Sequence, residues 1–153
     1  MVAGLLNAAL YLTAFAAMVA VGWSSDRSGE RFLHSTAALL AGAIGLAAVA
    51  PLAPTPQLAF AALVLSAAGI YAFYPPFWPI PQRMLAGVAR AVAVGLINSV
   101  GNLGGFAGPY IVGYLNTIAN STYAGLIYLS GSASLSSALL LAARRYVLRR
   151  HSS

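Results

Sequence analysis

Residues Gly95–Gly113 read GLINSVGNLGGFAGPYIVG. The stretch is apolar enough for a membrane, yet it carries Asn98, Ser99 and Asn102, six glycines and Pro109. In a water-soluble helix each interior glycine costs roughly 0.5–1 kcal/mol relative to alanine. In lipid, small residues instead let helix backbones approach closely. A helix meant only to anchor has no use for carboxamides at its centre. The segment therefore predicts a transmembrane helix packed tightly in a bundle and facing a pathway. At about 100° per residue, Asn98, Asn102, Gly105 and Pro109 share one stripe. Gly101, Gly104 and Gly108 share the next, and Gly101/Gly105 and Gly104/Gly108 each form a G-x-x-x-G pair. One side is expected to pack on a neighbouring helix and the next to present two amides. Those amides either bond a neighbouring helix, for roughly 0.6 kcal/mol each, or bond a polar solute.

Composition supports a membrane setting for the whole chain. Of its 153 residues, 60% are hydrophobic and 7% charged, and the mean hydropathy is +0.82. Soluble domains carry about 25% charged residues, so this chain has too little polar surface to cover itself in water. There is no cysteine, which excludes disulfides, thiolate nucleophiles and cysteine metal sites.

Working outward from Gly95–Gly113, five apolar stretches each approach the ~20 residues that cross a hydrocarbon core of about 30 Å. They run about 2–23, 35–52, 57–80, 91–118 and 123–143, followed by a basic tail over 144–153. The first lacks a basic leader and is too long for the apolar core of a signal peptide. Arg27 and Arg31 lie in the first connection, Arg83 and Arg90 in the third, and Arg144, Arg145, Arg149 and Arg150 in the tail. All eight arginines thus fall on one side of five alternating crossings. The positive-inside rule makes that side, and the C-terminus, cytoplasmic in an inner (plasma) membrane. The net charge of +6 is then topogenic and suited to anionic lipid rather than to nucleic acid.

The second stretch is rich in small residues, among them Ala41, Gly42, Ala43, Gly45, Ala47 and Ala48, and reads as a packing helix. Pro51, Pro54 and Pro56 are expected to end it and make a short stiff connection. In the third, Pro75 and Pro76 remove backbone donors and are expected to kink or break the helix. Tyr71, Phe73, Tyr74, Phe77 and Trp78 crowd that break. They form either an aromatic belt at the interface or the wall of a substrate cavity. The fifth carries Ser130, Ser132, Ser134, Ser136 and Ser137, which can bond their own i−4 carbonyls, so it reads as an outer packing helix.

No acidic residue falls inside a predicted span, and both histidines lie at span edges. No paired-carboxylate site, H-E-x-x-H or phosphate loop is present. No base is available inside the membrane to activate a serine. No catalytic residue, metal site or cofactor is assigned, and an enzyme is not expected.

Gly22, Asp26, Arg27, Gly29 and Arg31 follow the pattern G-x-x-x-D-R-x-G-x-R, which resembles the loop between the second and third helices of each half of the major facilitator superfamily. The run FWPIP at Phe77–Pro81 and the run LINSVGNLGGFAGP at Leu96–Pro109 are similar to the anion:cation symporter branch. That branch holds permeases for tartrate, phthalate, hydroxyphenylacetate and sugar acids. The resemblance implies an all-α membrane fold, with these five helices corresponding to helices eight to twelve of an incomplete C-terminal six-helix bundle. The chain is then expected to be the C-terminal part of a longer transporter, without the N-terminal half that carries coupling carboxylates and much of the anion site.

By the same resemblance, Trp78, Asn98, Asn102 and Tyr74 are expected to bind a small organic anion, moved by alternating access with a proton or cation. Gly22, Asp26, Arg27, Gly29 and Arg31 are expected to form a gating loop, Asp26 pairing with Arg27 or Arg31 and meeting the positive end of the fourth helix. Pro75–Pro76 departs from the pattern of the branch, where small or hydroxyl residues precede Phe-Trp. The alternatives are a non-transporting fragment or scaffold protein assembling through glycine-rich faces such as Gly101, Gly104, Gly105 and Gly108, or a small homodimeric transporter.

Overall fold

A computed structural model describes residues 2–150, with side chains described for 3–149. Helix α1 spans Val2–Ser28, α2 Arg31–Leu52, α3 Pro56–Ala72, α4 Tyr74–Phe77, α5 Pro79–Met84, α6 Gly87–Ile118 and α7 Ala124–Arg150. No strand occurs among the described residues. Five helical units are long and apolar enough to cross a membrane, with α3–α5 forming one crossing. This agrees with the all-α membrane class expected from composition.

The ends of the helices differ from the hydropathy boundaries. Helix α1 runs on past Trp23 to Ser28, so Asp26 and Arg27 are helical. Helix α2 starts at Arg31, and α7 continues through Arg144, Arg145 and Arg149. Hydropathy marks where lipid ends, whereas a helix ends where its hydrogen-bond ladder finds a cap. Gly29 supplies one such stop. It adopts φ +71°, and its N–H donates to the Ser25 carbonyl at 3.0 Å, closing α1 in the left-handed conformation that suits glycine. Glu30 then caps α2, its Oε2 accepting from the Leu33 N–H at 3.4 Å. No comparable stop interrupts α7 before Arg150.

The crossing from Pro56 to Met84 is interrupted at Phe73 and Trp78. Both residues keep helical dihedrals, −62°/−37° and −60°/−35°. Pro75, Pro76, Pro79 and Pro81 therefore remove ladder donors, and the helical path continues through the gaps. What remains are isolated bonds such as Phe77 N–H to the Phe73 carbonyl at 3.3 Å and Trp78 N–H to the Tyr74 carbonyl at 3.2 Å.

Helix α2 is the centre of the assembly. It packs chiefly on α3 and α7, and α1 lies against α3. Its buried face includes Ser35, Ala38, Leu39, Gly42, Ala43, Gly45, Leu46 and Val49. The α2–α3 contact is backbone on backbone. A methyl at Gly45 would stand 2.5 Å from the Ser66 nitrogen, and one at Gly69 would collide with the backbone of Gly42 and Ala38. Helix α7 closes the other side, where Ser130 Oγ donates to the Ala43 carbonyl at 2.8 Å. Ser132, Ser134, Ser136 and Ser137 bond their own i−4 carbonyls, as expected. Ser130 is the exception, a polar tie between helices, and α7 is accordingly a principal partner of the core rather than an outer helix.

Helix α6 stands apart. Among the described residues it has no buried residue, and its backbone comes close only to α5 and α7. Its link to α7 is a built corner: Asn116 Oδ1 accepts from the Gly125 N–H at 2.8 Å, and Gly125 sits against Val112.

Substituting Gly69→Leu must push α3 off α2. The expected loss is about 1–3 kcal/mol or more, read as a lower thermal midpoint of the detergent-solubilised protein. Gly131→Ala, where nothing lies within 4 Å, is expected to stay within about 1 kcal/mol of the parent. Equal stability of both variants would refute the close α2–α3 approach.

Candidate functional site

Two groups of expected site residues occupy different places. The first is the turn between α1 and α2. Asp26 Oδ1 accepts from Arg31 Nη2 at 2.8 Å, so the partner of Asp26 is Arg31. Arg27 instead lies over the Trp23 ring, 5.5 Å from its centroid, a cation–π contact. Gly29 makes the turn itself, and Gly22 lets Pro75 of α4 approach, an added methyl there standing 3.1 Å from Pro75 Cβ. No contact joins α1 to α6 among the described residues, so Asp26 does not meet the start of that helix here.

Further bonds tie the turn together. Ser25, fully buried, donates to the Glu30 carbonyl at 3.3 Å. His34 Nδ1 donates to the same carbonyl at 2.5 Å, and its Nε2 lies 3.0 Å from Ser24 Oγ. Arg144 reaches in from α7, donating to Glu30 Oε1 from Nη2 at 2.8 Å and from Nε at 3.2 Å. The Arg144 hydrogen bond holds the Glu30 carboxyl below its usual 4.5, against an opposing upward push from burial, with the Leu33 N–H adding to the lowering. Glu30 is thus helix cap and ion-pair partner at once. Its capping role has no residue-type signal, since N-caps favour Ser, Thr, Asp, Asn and Gly. Its pairing with a residue 114 positions away left no local pattern to read.

The second group lies on α4–α6. Tyr74 and Trp78 belong to an aromatic run. Tyr74 packs near Tyr71 and Phe73 at 6.5 and 5.6 Å, Phe73 stacks on Phe77 at 4.6 Å, and Trp78 meets Phe77 edge-on at 5.6 Å. Tyr71 reaches α1 through Tyr11 at 5.9 Å. Asn98 and Asn102 are exposed on α6, and the backbones of α4 and α6 do not come close among the described residues. The chain therefore does not bring the aromatic residues and the two amides together by itself. Gly101, Gly104, Gly105 and Gly108 have open space where a side chain would go. The glycines that pack within the described chain are Gly22, Gly42, Gly45, Gly69 and Gly125. Of these, Gly42 and Gly45 belong to the small-residue run of the second stretch.

The arrangement therefore offers an ion-paired turn at the arginine end and a long helix whose amide and glycine faces are open. No group of three or more His, Cys, Asp or Glu residues gathers among the described residues.

Among known proteins, the chain is similar to several membrane transporters. It is 38% identical over 138 residues to a candidate tartrate transporter of Agrobacterium vitis, covering 90% of this chain and 30% of that protein. It is 35% identical over 120 residues to the inner membrane transport protein RhmT of Escherichia coli K12, covering 78% and 28%. A quinolone resistance transporter of Acinetobacter baumannii is 33% identical over 127 residues, covering 83% and 29%. The chain thus spans about three tenths of the length of these curated relatives. No protein-family profile and no solved structure matches it.

The Glu30–Arg144 pair makes a pH prediction. A carboxyl held below its usual value adds stability above that value, and the addition is lost as pH falls through the lowered value. Glu30→Gln is expected to cost about 0.2–1 kcal/mol at pH 7, because the pair is partly solvated. The gap to the parent should close below pH 4.5. Thermal melts of both proteins from pH 7 down to about 3 would check this. A gap that stays constant would remove the pair from the stability of the turn.

Proposed function

The chain belongs to the major facilitator superfamily of transporters, and on that premise we propose that it forms one wall of a transporter for a small organic anion. The observation that carries the reading is the open face of α6. A multi-pass membrane protein cannot leave Asn98 and Asn102 against lipid tails without cost, because an unpaired amide in hydrocarbon loses its hydrogen bonds. The two amides need either a polar pathway or a facing helix, and a transporter supplies the first.

In this reading the aromatic run of α4–α5 and the amides of α6 line a cavity that is completed by the remainder of a longer protein. Trp78 contributes an apolar wall and an N–H donor, and Tyr74 a phenol. Asn98 and Asn102 donate amide hydrogens to carboxylate or hydroxyl oxygens. Gly101, Gly104, Gly105 and Gly108 take a facing helix at close range. The two parts of the protein rock about the site to give alternating access, driven by a proton or another cation. The arginine-bearing end, including the C-terminus, faces the cytoplasm of a plasma membrane. Asp26 and Arg31 make an inward-side contact that forms and breaks during the cycle. The tartrate name of one relative supports a carboxylate as substrate.

Asn98→Ala in the intact transporter tests the site. A hydrogen bond to a charged group contributes about 1.5–3 kcal/mol, so uptake of a labelled aldarate or aromatic acid at low concentration is expected to fall at least roughly tenfold. Asn102→Ala should behave similarly, and Asp26→Asn should slow the cycle with substrate affinity retained. Unaltered uptake and affinity in Asn98→Ala would remove that residue from the site.

A further inference from the structure

The arginine end of the bundle carries a groove lined by none of Tyr74, Trp78, Asn98 and Asn102. Its mouth is a cavity of about 250 Å³ between the α1–α2 turn, α5 and α7, lined by Gly29, Glu30, Arg31 and Arg83 among others. Behind it lies a cavity of about 300 Å³ with Phe77, Ile97, Leu140 and Ala143 on its walls, exposing no polar atom. The two share Phe32, Ile80, Met84 and Val147, so they form one groove with a charged mouth and an apolar slot. Leu140 lies seven residues from Val147 along α7, which carries the slot about 10 Å toward the middle of the membrane at 1.5 Å per residue.

The mouth favours an anion. Glu30 is held by Arg144 and Asp26 by Arg31, so both carboxylates there are neutralised. Arg83 is exposed and makes no ion pair among the described residues. Arg31 spends Nη2 on Asp26, while its Nε is buried without an acceptor. Guanidinium groups are planar forks of donors that match phosphate oxygens. At the level of helix ends, the phosphates present in quantity are those of lipid headgroups.

We propose that this groove binds an anionic phospholipid, with its phosphate at Arg83 and Arg31 and the upper part of one acyl chain in the slot. The shape selects the lipid over a free phosphate, which would leave the apolar slot unfilled. The charge selects an anionic headgroup over a zwitterionic one. Tyr74, Trp78, Asn98 and Asn102 do not line the groove, so the lipid site is distinct from the proposed substrate ligands, while Arg31 and Phe77 border both.

Native mass spectrometry of the detergent-solubilised protein tests this, titrated with dioleoylphosphatidylglycerol, dioleoylphosphatidylcholine or inorganic phosphate. Phosphatidylglycerol is expected to be retained at about fivefold to tenfold lower concentration than phosphatidylcholine. Arg83→Gln should abolish that preference, and Met84→Trp, which fills the slot from an exposed position, should weaken retention of both lipids. Thermal melts confirm that each variant is folded. Equal retention of the two lipids by the parent protein would overturn the proposal, as would an unchanged preference in folded Arg83→Gln. Displacement of phosphatidylglycerol by millimolar phosphate would show a headgroup-only site and would overturn it too.

Discussion

Everything in this bundle depends on how closely α2 and α3 approach. In lipid, helices gain nothing by hiding apolar surface from water, so cohesion comes from van der Waals contact and the few hydrogen bonds that cross between helices. Gly45 and Gly69 bring two backbones together where any side chain would collide, and Gly42 sits tightly against Ile70 and Ser66. Small residues and serine fill the rest of that seam: Ala38, Ala43, Ala62 and Ser66 are all buried. Once α3 is seated, α1 lies against it, and α7 covers the opposite side of α2 through the Ser130 bond to Ala43. Bulkier residues belong outside this seam, and Leu5, Leu12, Phe15, Ile44 and Leu65 are exposed to the surroundings.

Much of this was legible in the sequence, because lipid imposes simple rules. Length and apolarity marked the crossings, and the placement of arginines in alternate connections marked the shared end. The structure brings the same connections together, with Arg31, Arg83 and Val147 around one cavity. The small-residue run at Ala41–Ala48 announced a packing helix, and α2 is the packing centre. Glycine content alone could not say which glycines pack inside this chain. The six glycines of Gly95–Gly113 gave the strongest signal, yet none has a neighbour here. Three isolated glycines on α2 and α3 carry the contact instead. A glycine records that close approach is possible, while the partner is set by three-dimensional arrangement. Gly69 carries no local mark of its role, since its partner Gly42 lies on another helix.

The same distinction explains the candidate site. Expectation joined Tyr74 and Trp78 to Asn98 and Asn102 because the segments are consecutive. In the structure the aromatic run leans toward α1 through Tyr71 and Tyr11, while α6 swings out on the corner made by Asn116 and Gly125. Consecutive helices joined at the Leu85–Gly87 turn share the groove around Phe77 and Ile97, and the two amides lie outside it. A polar face that is open on a helix otherwise surrounded by apolar residues is unfinished in hydrocarbon. Its completion requires groups outside the described contacts, which is consistent with relatives more than three times as long as the matched segment.

The arginine end shows how one short turn can carry several duties at once. Gly29 stops α1 and Glu30 starts α2, so the turn admits very little freedom. That restraint lets Arg31 lie along the protein with only 11% of its side chain exposed, while Asp26 keeps 68% exposed. The pair is therefore asymmetric: Arg31 is held by the fold, and Asp26 is the member with access to outside groups. Arg144 adds a second restraint by clasping Glu30 from α7. Removing Arg144 would free the cap residue of α2 as well as an ion pair. The loop motif is thus more than a set of charges placed at a membrane surface. Its glycine and its cap fix the backbone, and the fixed backbone decides which charges are buried and which are exposed.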